Sequence, residues 1–162
     1  MEEVAELAGF YAAHAVCILV EHETFDATLS FINADGKQDM MRLIAPDTRQ
    51  AVEFGRQRMA EPPEGAVCAA LVLDGRINLE DGKCDAIIVE TVVYGPEKVG
   101  FSMAIPYRNS ASEEGFAIHR PKFLGHEGPE PDFDAIAEAF FHGVDSHEEG
   151  GAIWNEKLDQ SR

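Results

Sequence analysis

Residues 66–106 read AVCAALVLDGRINLEDGKCDAIIVETVVYGPEKVGFSMAIP, and this stretch decides the fold. Its first eight residues, 66–73, are apolar on both faces, the pattern of a strand at the centre of a sheet. Two Asp-Gly pairs, 74–75 and 81–82, bracket a short segment over 76–80, and Asp-Gly is the chemistry of tight turns. A long strand follows over 84–94, and Gly95-Pro96-Glu97 turns the chain into another over 98–106. These connections are too short to hold a helical crossover, so the strands are expected to pair antiparallel.

Working outward, residues 27–33 alternate, with Leu29 and Phe31 on one face and Thr28 and Ser30 on the other. Asp35-Gly36 offers two positions able to take φ > 0 before a return strand over 38–45. Asp47 is placed to cap a helix over about 48–60, whose inner side is Ala51, Val52, Phe54 and Met59, and Pro62-Pro63 ends it. At the start of the chain, Val4, Leu7, Ala8, Tyr11, Ala15 and Ile18 recur at helical steps to about His22. Glu2, Glu3 and Glu6 sit in its first turns, where a helix dipole favours negative charge. Downstream come a weaker strand over 115–119, an irregular stretch rich in Gly and Pro, and a helix over 133–142 capped by Asp132.

The order is therefore α-β-β-α-β-β-β-β-α. It describes an α+β domain with a mainly antiparallel sheet of five or six strands and three helices packed on it. The expected single domain covers 1–142. Residues 143–162 read as an acidic C-terminal tail with Trp154 as the one candidate anchor.

The chain has 162 residues and a net charge of −17, from 13 basic and 30 acidic side chains. The excess lies at the ends: residues 1–23 carry −5, residues 127–162 carry −8, and the middle carries −4. So acidic a chain repels phosphate backbones and anionic lipid, which argues against nucleic-acid or membrane-surface binding. No basic residue precedes Lys37 and the longest early apolar run is Ala15 to Val20, so a secretory leader and a membrane span are not expected. Cys17, Cys68 and Cys84 cannot all pair within one chain and read as reduced thiols, two of them buried. The expected location is the cytoplasm.

Motifs that carry chemistry are missing from the sequence. It contains neither G-x-x-x-x-G-K-[ST] nor G-x-G-x-x-G for phosphates, and no serine stands in G-x-S-x-G. The six histidines show no metal-ligand spacing, so no metal and no cofactor is expected. One carboxylate is conspicuous. Glu90 lies inside IIVETVVY, on a face with Ala86, Ile88, Val92 and Tyr94, and must be paired or neutral if that face is inner. Arg42, Arg108 and Arg120 are its candidate partners. Residues 106–129 hold the densest mix of donors and aromatics, including Tyr107, Arg108, His119 and Arg120.

Two functional readings follow, with one alternative account of the charge. The first is a cytoplasmic protein-binding or regulatory module, expected as a homodimer, whose acidic ends recognise a basic protein partner. The second is an enzyme or small-ligand binder with a composite pocket around Glu90, Tyr107, Arg108 and His119. There Glu90 or His119 would serve in catalysis, and Tyr107, Arg108 and Arg120 in ligand binding. Adaptation to a salt-rich cell interior would account for the acidity without a partner.

Overall fold

In the computed structural model, which describes residues 1–161, the central apolar run lies in the middle of a sheet, within a strand longer than the sequence implies. The strands are β1 (Thr28–Asn33), β2 (Gln38–Arg42), β3 (Ala66–Leu79), β4 (Gly82–Val93), β5 (Gly100–Arg108), β6 (Ala117–Ile118) and β7 (Lys122–Glu127). The helices are α1 (Glu2–Leu19), α2 (Thr48–Ala60), α3 (Phe133–Ser146) and α4 (Glu148–Lys157). The sheet runs β2-β1-β3-β4-β5, and β6 and β7 both pair with the outer edge of β5. The named strands pair antiparallel throughout, as the short connections require.

Three expectations change. Asp74-Gly75 is not a turn: Asp74 pairs with Ile87 and Gly75 with Ala86, and the ladder runs on to Leu79 and Gly82. Of the two glycines only Gly82 has a positive φ, +119°. Gly75 serves close approach instead, since a Cβ there would stand 2.9 Å from Ile88 Cγ1. The β1–β2 turn likewise uses positive φ at Gly36 alone, while the Asn33 carboxamide oxygen accepts from the amides of Asp35 and Lys37. The third change is the helix count among the described residues, four rather than three. Residues 148–157, read from sequence as part of a polar tail, form α4, and part of the Gly/Pro-rich stretch forms β7.

Each face of the sheet has its own core. On one side Ala70, Val72, Ile87, Met103 and Ile105 meet α1, which is covered in turn by α3 and α4. On the other side Leu29, Phe31, Leu71 and Leu73 meet Ala51, Val52 and Met59 of α2. Both predicted caps form: Asp47 accepts from the Gln50 amide at 2.8 Å and Asp132 from the Ala135 amide at 3.1 Å.

Small residues make the helical layer tight. A Cβ on Gly9 would run into the Phe140 carbonyl, one on Gly143 into the Glu6 carbonyl, and one on Gly150 into that of Ala13. Trp154 is 1% exposed and stacks edge-on against Phe140 and Phe141. The first and last segments of the chain thus become one layer over the same face of the sheet.

Candidate functional site

Glu90 lies on β4, opposite Leu71 of β3 and Ser102 of β5, and faces α2. Arg56 of α2 grips it with two nitrogens, Nε donating to Oε1 at 3.0 Å and Nη2 to Oε2 at 2.7 Å. The Glu90 side chain is 26% exposed. This hydrogen bonding raises the Arg56 pKa above its ordinary value, against the opposing effect of burial. Its partner thus comes from the helix above the sheet, not from Arg42, Arg108 or Arg120. The signal was present in the sequence: Arg56 follows Val52 by four residues and adjoins Gly55, so it lies at the margin of the buried stripe of α2.

Tyr107, Arg108 and His119 come together at the far end of β5, and Glu90 does not join them. Ser102, opposite Glu90, precedes Tyr107 by five residues, about 16 Å along a strand, and Tyr107 points to the other face. The Tyr107 hydroxyl donates to Asp74 Oδ1 at 2.6 Å. Burial lifts the Asp74 carboxyl above its usual range, partly offset by that hydrogen bond, and burial also raises the Tyr107 hydroxyl. Arg108 donates to the Gly115 carbonyl at 2.8 Å and lies 3.3 Å from Glu114 and 3.7 Å from Asp159. His119 is buried below, its Nδ1–H donating to the Asp159 carbonyl at 2.9 Å, and among the described residues Nε2 has no hydrogen-bond partner. Arg120 is exposed on the following turn of chain.

Asp74 and Tyr107 open onto a cleft of about 290 Å³ shared with Glu23, Arg76, Asp85 and Asn109. Arg76 and Asp85 pair across it at 3.3 Å, and the Asn109 amide donates to the Glu23 carbonyl at 3.0 Å. Asp74 escaped the sequence reading because Asp-Gly there reads as a turn.

A second cluster joins α1 to α4. His147 caps α4: its Nδ1 accepts from the Gly150 amide at 2.9 Å, which leaves the ring proton on Nε2, facing His14 Nδ1 at 3.4 Å. Burial, and then the neighbouring His147, lower the His14 pKa. Cys17 Sγ lies 4.0 Å from the same His147 ring, and burial raises its pKa. Among the described residues no group of three or more His, Cys, Asp or Glu is placed to hold a metal ion. Burial likewise pushes the Cys68 thiol up to about 11, away from the thiolate that chemistry needs.

Charge is the third feature. Packing α1 beneath α3 and α4 brings nine acids of the two chain ends into one layer, Glu2, Glu3, Glu6, Asp134, Glu138, Asp145, Glu148, Glu149 and Glu156. Glu2, Glu3, Glu6, Glu138, Asp145, Glu148 and Glu149 are exposed on the helical side. Lys157 is the one lysine or arginine among the described residues of these two segments. Residues 37–60, which form β2 and α2, carry five basic and three acidic side chains, a net of +2.

Compared with known proteins, the chain matches no family model, no curated protein and no solved structure. Among the described residues no helix is long and apolar enough to cross a membrane.

Proposed function

We propose that the protein is a cytoplasmic protein-binding module that docks a basic partner on its helical layer. One observation carries the reading: the acids of the two chain ends, separated in sequence by the whole sheet, are collected by α1, α3 and α4 onto one side. Fields from clustered like charges sum, so such a layer draws in and orients a basic partner more strongly than the same charges dispersed. The layer is also stiff, because glycine and alanine contacts hold the helices close, which lowers the ordering cost of docking.

The test separates the layer from overall charge. A labelled decalysine peptide is titrated by fluorescence anisotropy against the parent and two triple variants. Glu3→Gln with Glu138→Gln and Asp145→Asn removes three acids from the helical layer. Asp35→Asn with Glu61→Gln and Glu97→Gln removes three from sheet loops. The first variant is expected to bind about tenfold more weakly at roughly 0.1 M salt, and the second nearly as well as the parent. Equal losses would show that only net charge matters. Thermal stability that climbs steeply to molar KCl, with equal losses in binding, would assign the acidity to salt adaptation instead.

A second reading, a small-ligand or catalytic pocket, is favoured by the Tyr107–Asp74 pair. A desolvated carboxyl bonded to a hydroxyl at the mouth of a cleft is a common acid–base arrangement. Native mass spectrometry on untagged protein tests it: a retained small molecule that Asp74→Asn releases supports the pocket, and bare protein removes it.

A further inference from the structure

We propose that His14 and His147 form an acid-sensitive latch between α1 and α4. Two neutral rings hold the first turn of α4 in place, and protonation of either lets that turn go. The latch governs how the helical layer is held together, whatever that layer binds.

Several contacts meet at one point of the seam. His147 Nδ1 accepts from the Gly150 amide at 2.9 Å, and the His147 carbonyl accepts from the Gly151 amide at 2.7 Å. The proton of that ring is therefore on Nε2, which faces His14 Nδ1 at 3.4 Å. Phe10 packs on the same ring, centroid to centroid at 5.0 Å. One residue before His14, the Ala13 carbonyl lies so close to Gly150 that a Cβ would not fit between them. A single ring thus caps α4 and ties it to α1, at the place where the two backbones touch.

Both rings have only a seam-facing nitrogen left to protonate. A proton on His147 Nδ1 turns the acceptor of the cap into a donor aimed at another donor, the Gly150 amide. It also sets a cation at the positive end of the α4 dipole. A proton on His14 Nδ1 sets one N–H against another, that of His147 Nε2. Undocked, neither ring meets this conflict, and histidine is the side chain that titrates between about pH 5 and about pH 8, so mild acid favours the open seam. Burial, and then His147, lower the His14 value in the closed seam. The contribution of His14 to docking is therefore present above the ordinary 6.5 and lost as pH falls through the lowered value.

The surrounding elements supply other titratable groups. Cys17 of α1 has its Sγ 4.0 Å from the His147 ring. Glu148 and Glu149 open α4, Asp145 lies in the last turn of α3, and Glu149 acts on His14 in the sense opposite to burial. On the sheet side His14 shares a cleft with Tyr11 and with the Asp26–Arg42 pair, 3.5 Å apart. Burial raises both Cys17 and Tyr11, away from the mildly acidic range. Carboxylates ordinarily titrate below that range and guanidinium far above it, which leaves the two histidines to change charge at this seam. The far end of α4 is held separately. There the Asp159 amide donates to the Ile118 carbonyl at 2.8 Å, and the Asp159 carbonyl accepts from His119 Nδ1–H, a bond that a second ring proton leaves intact. Acid therefore loosens one end of α4 and leaves the chain anchored at the other.

The test is amide hydrogen exchange in the full chain at about pH 7.5 and about pH 5.5, corrected for the intrinsic rate at each. Protection of the Gly150 and Gly151 amides is expected to fall about five- to tenfold at the lower pH, the loss of one cap, while β3 amides keep theirs. His147→Asn supplies a capping oxygen that does not titrate, so its protection should be the same at both pH values. Ring resonances of His14 and His147 in the parent give a measurement that needs no variant: their titration should track the loss of protection at Gly150. Undiminished protection in the parent, an equal fall in His147→Asn, or titration of both rings with Gly150 still protected would each overturn the latch. A fall shared equally by the β3 amides would overturn it too, since acid would then be weakening the whole fold.

Discussion

The crossing of α1 over α3 depends on two glycines, and adding a methyl group to either tests how the acidic layer is built. A Cβ on Gly9 would lie 2.8 Å from the Phe140 carbonyl carbon and 3.1 Å from the Val144 nitrogen, with the Phe140 oxygen nearer still. A Cβ on Gly143 would lie 2.9 Å from the Phe10 nitrogen, against the Glu6 carbonyl. Favourable carbon contacts begin at about 3.5 Å, so the backbones must part by at least about half an ångström. A gap of that size forfeits roughly a quarter of each dispersion contact across the seam, which here includes Leu7, Ile136, Phe140 and Val144. Overpacking of this kind costs about 1–3 kcal/mol, and contact with rigid backbone places it at the upper end. Alanine returns about 1 kcal/mol of helix propensity. The net expectation for Gly9→Ala or Gly143→Ala alone is thus a loss of about 2 kcal/mol. Once one methyl group has parted the helices, the second meets less resistance, so the double variant should lose about 1 kcal/mol less than the sum. Urea unfolding reads this through the emission of Trp154, the chain's single tryptophan, buried against Phe140 and Phe141. A single variant as stable as the parent or more so would refute the close crossing, because alanine then delivers only its propensity gain. Strictly additive losses would show that the two glycines do not share one seam.

Three further outcomes follow from the geometry. In a double-mutant cycle with Arg56→Met and Glu90→Gln, the half-exposed ion pair should show a coupling of about 0.5–1 kcal/mol by urea unfolding, and zero coupling would remove it as a tether of α2. Tyr107→Phe strips the donor from Asp74 and should cost about 1–2 kcal/mol near neutral pH. Because burial raises the folded Asp74 value, its stabilising contribution is full below the ordinary 3.8 and is lost as pH rises through the raised value. Asp74→Asn, always neutral and still able to accept from Tyr107, should therefore match or exceed the parent above that window and converge with it in acid. A variant that falls behind as pH rises would show that the carboxylate is the favoured form. His147→Ala removes the acceptor for the Gly150 amide and should cost about 1 kcal/mol in thermal unfolding, with His147→Asn restoring most of it. Equal loss in both variants would mean that the ring packs on Phe10 and His14 but does not cap.

Much of the fold was legible because it depends on neighbours a few residues apart. The apolar run 66–73 had to lie between two layers, and it does, with Ala70 and Val72 facing α1 and Leu71 and Leu73 facing α2. Asp47 and Asp132 capped where their spacing said they would. Short connections made the sheet antiparallel. Glycine was ambiguous, because it serves both turns and close approach. Gly75 read as part of a turn but admits Ile88, and Gly150, in the expected tail, admits the Ala13 carbonyl, both at distances that a Cβ would not allow.

The sequence by itself determined the net charge, the alternation of the strands and the caps of α2 and α3. Tertiary structure alone decided which distant groups meet. It set Arg56 on Glu90, Asp74 on Tyr107, and His147 beside His14, and it drew the acids of α1, α3 and α4, from opposite ends of the chain, into one layer. The physical reason is that helix and strand periods reveal which face of an element is buried, whereas a side chain's partner across that face is set by packing between elements far apart in the chain.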